Sequence, residues 1–385
     1  MTNPRLLAVE LLDKVLSRRL NFDDAFDREP KIDGLQQRDK NYLRNLCLTT
    51  FRHLGEIDHF LNKFTRAKSN ILRLGVTQMK YLDTPPFAAC NEMVDVADTK
   101  EHKSFINAIL RKAPEYEFER RAALNFPKWM LGSWQKAYGK DVTEAFLPFM
   151  VQEPALDITV KSGYEWQGEH TKLPNGTIRL QEGHVPELPG FAEGKWWVQD
   201  AASSMAVPML GDVKGKKVLD MCAAPGGKTA QLCDSGAIVT AVDDSQRRLE
   251  RLNENMQRLG FKPEVICDDA KNVKGEFDAV LIDAPCTATG TAAKNPDVIH
   301  TREQKDVQEM VGIQKALIES AHGKLKNGGI LVYATCSLQY EEGEGQVKKL
   351  DATKWKLLEE KRILPSLYAE FGGTGGFYCA KLQKL

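Results

Sequence analysis

The stretch Asp220-Met221-Cys222-Ala223-Ala224-Pro225-Gly226-Gly227-Lys228-Thr229 decides how the C-terminal half of the chain is read. A strand candidate, 217–221, runs into a loop of small residues that opens a helix at 228–234. Glycines let a ligand approach the backbone, and a helix N-terminus offers unpaired N–H groups to a carboxylate or phosphate. Gly227-Lys228-Thr229 invites a phosphate-loop reading, but that pattern needs glycine where Cys222 stands. The loop is therefore read as a site for a nucleotide-like ligand.

Outward from this loop, strands and helices alternate. Further strand candidates lie at 238–243, 264–267, 279–283 and 330–334, and helices at 246–259 and 306–325. Near-continuous apolar strands interleaved with helices predict a mostly parallel sheet covered on both faces. In such folds the ligand lies beyond the C-terminal strand ends. Asp243 closes the second strand, where an acid can accept hydrogen bonds from ribose hydroxyls. Its neighbours Asp244 and Ser245 are candidates for the next helix cap. Asp269, at the end of the third strand, is placed to meet an adenine amino group.

Two further motifs end strands on the same rim: Asp283-Ala284-Pro285-Cys286 and Ala334-Thr335-Cys336-Ser337. Two thiols and a carboxylate there suit methylation of cytosine at C5. That carbon is a poor nucleophile until a thiolate adds at C6 and makes C5 enamine-like. Free cysteine titrates near 8.5, so the site must favour the thiolate. A carboxyl group at the N3 edge can stabilise the charge that addition develops. The residues alone do not say which cysteine attacks.

The N-terminal part, to about residue 125, reads as all-α. Leu6, Leu7, Val9, Leu11, Leu12 and Val15 make a helical stripe after Pro4. One long helix is expected over 38–64, and others over 69–82, 87–97 and 104–112. Between Gln37 and Lys80 stand nine basic residues, Arg38, Lys40, Arg44, Arg52, Lys63, Arg66, Lys68, Arg73 and Lys80, against Asp39, Glu56 and Asp58. This excess is either a phosphate-contacting face or a solvated helix surface. Residues 126–200 read as a small α/β segment, with a helix near 142–149 and short strands at 156–161, 177–180 and 196–198.

The 385 residues exceed what one core organises, so several domains are expected. Net charge is zero, 42% of residues are hydrophobic and 28% charged, as in ordinary globular proteins. No apolar run spans a bilayer and no signal pattern opens the chain, so a cytoplasmic location is expected. The eight cysteines form no C-x-x-C pair and have no histidines at zinc spacing, so neither disulfide nor metal is expected. Cys47, Cys90, Cys233 and Cys379 read as small buried hydrophobes.

Taken together, the three motifs resemble the RNA cytosine-5 methyltransferases of the NOL1/NOP2/Sun family. The likeness extends to Val198-Gln199-Asp200-Ala201-Ala202-Ser203 and to Gly375-Gly376-Phe377-Tyr378-Cys379-Ala380-Lys381-Leu382. It also covers the helical N-terminus, including Phe105-Ile106-Asn107-Ala108-Ile109-Leu110-Arg111, which is similar to a NusB-type RNA-binding domain. The resemblance implies a multi-domain chain. A NusB-like all-α domain would occupy 1–125, a small α/β connecting domain 126–200, and a Rossmann-like class I methyltransferase domain 201–385.

The resemblance further implies S-adenosylmethionine as cofactor. Cys222, Ala223, Ala224, Pro225, Gly226, Gly227 and Lys228 would surround its methionine part, Asp243 its ribose and Asp269 its adenine. Asp283 would stand between cofactor and base. Cys336 would be the nucleophile and Cys286 the residue that aids product release; no metal is implied. The implied partner is small-subunit (16S) ribosomal RNA, free or partly assembled, met by a monomer away from any membrane. The same chemistry on transfer RNA or large-subunit RNA is the alternative, as is an inactive RNA-binding factor. Ala293-Lys294 precedes Asn295-Pro296-Asp297 where the family carries a basic pair, Thr287 replaces a common serine, and the segment 350–373 is short.

Overall fold

The computed structural model describes residues 3–181 and 183–385. They divide into two compact units. The first runs to Gln152 and takes in Ala292–Glu303; the second holds Glu153–Thr291 and Gln304–Leu385. The expected three parts thus regroup. The sheet of the connecting region shares a unit with the larger C-terminal sheet, and the helices before residue 152 fall with the N-terminal ones.

The first unit is helical. Helix α1 (Pro4–Arg18) starts on a proline preset for the first turn, and the Asn3 side chain accepts from Arg5 N at 2.9 Å. It buries Leu7, Leu11, Leu12 and Val15, the face that the apolar spacing marks out. The others are α2 (Phe22–Asp27), α3 (Gln37–Arg52), α4 (Leu54–Leu61), α5 (Asn70–Tyr81), α6 (Pro86–Val96), α7 (Lys100–Leu110), α8 (Lys128–Tyr138) and α9 (Lys140–Met150).

The single helix expected over 38–64 is two, broken at His53. The cause is tertiary. The His53 ring stacks on Tyr81 at 3.8 Å and hydrogen-bonds Glu56 at 3.0 Å. The break also brings Gly55 flush against the 122–125 turn, where any Cβ would lie 1.9 Å from the Leu124 carbonyl oxygen. Helix α8 has no counterpart in the sequence reading.

The segment 292–303 belongs to this unit although both its flanks lie in the other. Its short helix is α12 (Val298–Thr301). Asp297 Oδ2 accepts from Phe22 N at 3.1 Å and Asn21 Nδ2 at 3.4 Å. His300 Nε2 donates to the Phe51 carbonyl at 2.7 Å, Arg52 to Ala293 O at 3.1 Å and Arg19 to Thr301 O at 2.7 Å.

The second unit contains two sheets. An antiparallel four-stranded sheet, in the order β2-β3-β1-β4, uses β1 (Leu156–Val160), β2 (Thr171–Lys172), β3 (Ile178–Leu180) and β4 (Trp196–Val198). Arg179 on β3 is buried and bidentate to Asp157 on β1, at 2.7 and 2.8 Å. Its remaining nitrogen donates to the carbonyls of Phe371 and Gly373 at 2.8 and 2.7 Å.

The larger sheet has seven strands: β5 (Lys217–Met221), β6 (Ile238–Asp243), β7 (Glu264–Cys267), β8 (Phe277–Asp283), β9 (Leu325–Thr335), β10 (Trp355–Ile363) and β11 (Phe377–Lys384). Their order is β10-β11-β9-β8-β5-β6-β7. The pairs from β9 to β7 are parallel; β11 pairs antiparallel with both β9 and β10. From β5 the chain runs outward through β6 and β7, then returns to β8 on the other side of β5. That reversal makes a crevice between the C-terminal ends of β5 and β8. The parallel strands are buried as continuous apolar runs, such as Ala279–Ile282 beside Val218 and Leu219. The helices are α10 (Gly227–Asp234), α11 (Gln246–Leu259), α13 (Gln304–Lys324) and α14 (Glu344–Val347). Helix α11 turns Leu249, Leu252, Met256 and Leu259 to the sheet. Among the described residues no helix is long and apolar enough to cross a membrane.

Two stability predictions follow from these contacts. Arg179→Met leaves Asp157 buried without its partner, so it should cost about 3–5 kcal/mol in urea unfolding. Burial holds the His300 imidazole down, at about 4. An unfolded histidine protonates near 6.5, so between these values the unfolded chain binds the extra proton. Stability should therefore fall as pH drops from 6.5 toward 4. The difference between wild type and His300→Gln in thermal unfolding should carry that slope.

Candidate active site

Strand register brings the motifs together. Met221 on β5 pairs with Ile282 on β8, and Asp283 pairs with Ala334 on β9. The loops after β8 and β9 stay hydrogen-bonded beyond the strands, through Ala284 N to Ala334 O and Gly290 N to Cys336 O, both 2.9 Å. Gly290 is packed so closely there that a Cβ would fall 2.1 Å from the Gly376 carbonyl oxygen.

The outcome is a pair of thiols with Sγ atoms 3.4 Å apart, Cys286 and Cys336, neither of them in a disulfide. Hydrogen bonding to Cys336, and then burial, push the Cys286 thiol well above the ordinary cysteine range. Beside the pair, Lys228 Nζ donates to Asp283 Oδ2 at 2.6 Å and to Ser203 Oγ at 2.7 Å. The ammonium also sits 5.2 Å from the centre of the Phe377 ring. Burial pulls Lys228 down, but Asp283, and then Cys336, outweigh it, and its value ends above that of ordinary lysine. Lys228 is therefore a fixed positive charge next to the thiols.

A cavity of about 550 Å³ opens along the same rim. Asp243, Asp269 and Asp283, from three strand ends, contribute carboxylates to its wall. Such a wall suits a cationic, hydroxyl-bearing ligand. Asp243 is buried and already accepts from Ala224 N and Ser245 N at 3.2 Å each. Asp269 is held below the ordinary carboxylate range, first by the Lys271 backbone N–H. Cys222 lines the cavity with φ of +63°, and burial pushes its thiol up to about 12, so it is no thiolate. Asp220 lies beneath the loop, fully buried and bonded to Thr229 Oγ1 at 2.7 Å; burial raises it to about 7.

Of the predicted cofactor residues, Cys222, Asp243, Asp269 and Asp283 line this cavity, whereas Ala223, Ala224, Pro225, Gly226, Gly227 and Lys228 do not. Gly226 also has a packing role. Gly226 adopts φ of +102° as the cap of α10, and a Cβ there would press the Leu252 side chain at 3.1 Å. It thus serves the packing of α11.

Other lining residues escaped the sequence reading. Gly312, Ile313, Ala316 and Leu317 of α13 form one wall. Their helical spacing puts them on one face, but nothing local says that the face meets a ligand. Arg248 bridges Asp243 at 3.3 Å and the Ala224 carbonyl at 2.6 Å. Its position one turn into the helix after Asp243 was the available signal.

The basic excess of the helical unit is smaller in space than in sequence. Arg44 pairs with Asp23 at 2.5 Å, Arg73 is buried and bidentate to Asp58, and Arg52 is buried against Ala293 O. Lys80 donates to Tyr116 O at 3.5 Å. Arg38, Lys63, Arg66 and Lys68 are exposed. Of the four cysteines read as buried, Cys47, Cys90 and Cys379 are, and Cys233 is half-buried.

The model of the 16S rRNA methyltransferase RsmB/F family matches residues 207–382, and that of the NusB family matches residues 2–115. Ribosomal RNA small subunit methyltransferase B of Escherichia fergusonii is 30% identical, over 99% of both chains, as is its namesake in Shigella sonnei. Among solved structures, that of PH0851 superposes with a TM-score of 0.77 at 23% identity, covering 100% of this chain and 99% of that one. A methyltransferase homologue from Pyrococcus horikoshii gives 0.58 at 26% identity, over 68% of this chain and 96% of its own. The chain belongs to the ribosomal RNA small subunit methyltransferase B family, with a NusB domain ahead of a Rossmann-like methyltransferase fold, S-adenosylmethionine as its methyl donor and RNA as its substrate.

Proposed function

We propose that the chain methylates C5 of a cytosine in 16S ribosomal RNA through a covalent bond between Cys336 and C6 of the base. The observation that carries this reading is the thiol pair, 3.4 Å apart, beside the Lys228–Asp283 ion pair and on the rim of one cavity. A methyl transfer to oxygen or to an exocyclic nitrogen needs no second thiol.

The cavity fits the cofactor. About 550 Å³ lies within the range of small-molecule sites, and its carboxylates complement a sulfonium and a ribose. Asp243 would bind the ribose, Asp269 would lie at the adenine and Asp283 would stand between cofactor and base. The loop Cys222–Lys228, which enters the cavity through Cys222, would hold the methionine part. When bound, S-adenosylmethionine supplies an electrophilic methyl group.

The chain's own residues do the rest. Cys336 adds as thiolate to C6, forming the C–S bond and pushing electrons toward N3. The Lys228–Asp283 pair faces that edge and stabilises the charge. Once bonded, the Cys336 sulfur no longer carries charge, and the leading cause of the high Cys286 value disappears. Cys286 can then give up its proton to water in the open cavity and act as the base. After methyl transfer it takes the proton from C5, the C6–S bond breaks, the double bond re-forms and Cys336 leaves as thiolate.

The base must leave any helical stack to reach these thiols. Free or partly assembled 16S RNA is therefore the substrate form, met by a cytoplasmic monomer. Residues 1–125 serve as the RNA-binding domain, 126–200 as the connector and 201–385 as the catalytic domain.

Incubation with labelled S-adenosylmethionine and unmodified 16S RNA, followed by bisulfite mapping, should give one new 5-methylcytosine. It should vanish with Cys336→Ala. Cys286→Ala should accumulate a protein–RNA adduct that survives denaturing electrophoresis. Methylation of transfer RNA alone would refute the substrate, and absence of 5-methylcytosine from every RNA would refute the chemistry. Lys228→Met should lower kcat by about 100-fold or more, the usual cost of losing a charge-stabilising donor.

A further inference from the structure

Glu342 is fully buried six residues beyond Cys336, in the turn before α14, and the chemistry above does not use it. Its Oε1 accepts from Thr287 N at 2.8 Å and Gln314 Nε2 at 3.1 Å. Its Oε2 accepts from the hydroxyls of Thr287 and Ser337, both at 2.5 Å. Thr287 directly follows Cys286, and Ser337 directly follows Cys336. Gln314 also donates to the carbonyl of Pro285, the residue before Cys286, at 2.9 Å. Four donors converging on one carboxylate match an acceptor-only group. Charge-assisted bonds of this kind are the stronger ones, and their loss leaves buried donors unpaired.

We propose that Glu342 is a positioning residue for the thiol pair: its carboxylate ties the Cys286 loop to the Cys336 loop and so sets the distance between the two sulfurs. Without it, the Gly290 N–H to Cys336 O bond and the 3.1 Å contact between the Thr287 and Ser337 hydroxyls still join the loops, but the acceptor that gathers both hydroxyls and the Thr287 N–H is gone. Glu342 lines no part of the cofactor cavity, so its loss should act on the thiols and spare cofactor binding.

The inference rests on the roles proposed for Cys286 and Cys336, but its test uses no RNA and so stands apart from the substrate reading. Diamide couples two thiols into a disulfide and is itself reduced to the hydrazine. Coupling of Cys286 to Cys336 would be timed by mass spectrometry in the full chain, against alkylation of exposed Cys267 as internal clock. Glu342→Gln and Thr287→Val would be compared with wild type, alongside calorimetric S-adenosylmethionine binding.

The expected result is rapid coupling in wild type and coupling slowed about tenfold or more in both variants, with cofactor affinity within about twofold. A misplacement on the order of 1 Å is enough to cost about 100-fold in a positioned reaction. Coupling at the wild-type rate in a variant that still binds cofactor would overturn the proposal, as would a wild type that does not couple. Loss of cofactor binding and of coupling together in both variants would also overturn it, because it marks residues that hold the fold rather than the pair.

Discussion

Everything at the site hangs on the parallel ladder through β5, β8 and β9. A hydrogen-bonded ladder fixes register, and register fixes which strand ends are level with one another. Met221 opposite Ile282 and Asp283 opposite Ala334 bring three loops from distant parts of the chain to one rim. A slip of one residue in either pair would turn every side chain to the other face and separate the thiols. The apolar core of the ladder, with Leu219, Val280, Leu281 and Val332 fully buried, is what resists that slip.

On that frame the site is an arrangement of charge around two similar groups. Lys228 is locked by Asp283 and Ser203, and Glu342 is locked by four donors, three of them from the residues that follow the two cysteines. Two cysteines of the same intrinsic acidity are thereby placed in unequal surroundings. Unequal surroundings are how neighbouring titratable groups come to take different parts in one reaction.

The helical unit is tied to the catalytic sequence by the segment 292–303. The chain leaves the Cys286 loop at Thr291, enters the helical unit, and returns at Gln304 to begin α13. Asp297 and His300 are the anchors of that excursion, through the backbone of Phe22 and Phe51. A segment that continues from one cysteine loop is thus built into the unit that carries the NusB similarity.

Much of this was legible in residues alone. The strands 217–221 and 238–243 and the helix 246–259 have the bounds that their apolar patterns mark, because a strand buried on both faces and an amphipathic helix each state their period locally; the less buried edge strand 264–267 has the expected bounds too. The motif acids and cysteines were legible for the same reason: they sit where strand patterns stop. The break at His53 was not, since it depends on Tyr81 and on the turn that meets Gly55. Nor was the destination of 292–303, whose partners lie in helices encoded far upstream. The wall of α13 and the clamp at Glu342 were hidden too: Glu342 stands in a run of acids, Glu341-Glu342-Gly343-Glu344, and only burial beneath two loops singles it out. Sequence determined the elements, because their periods are short-range. Tertiary structure decided which carboxylate is buried, which glycine is obligatory and which thiols meet, because those depend on neighbours that the chain supplies from elsewhere.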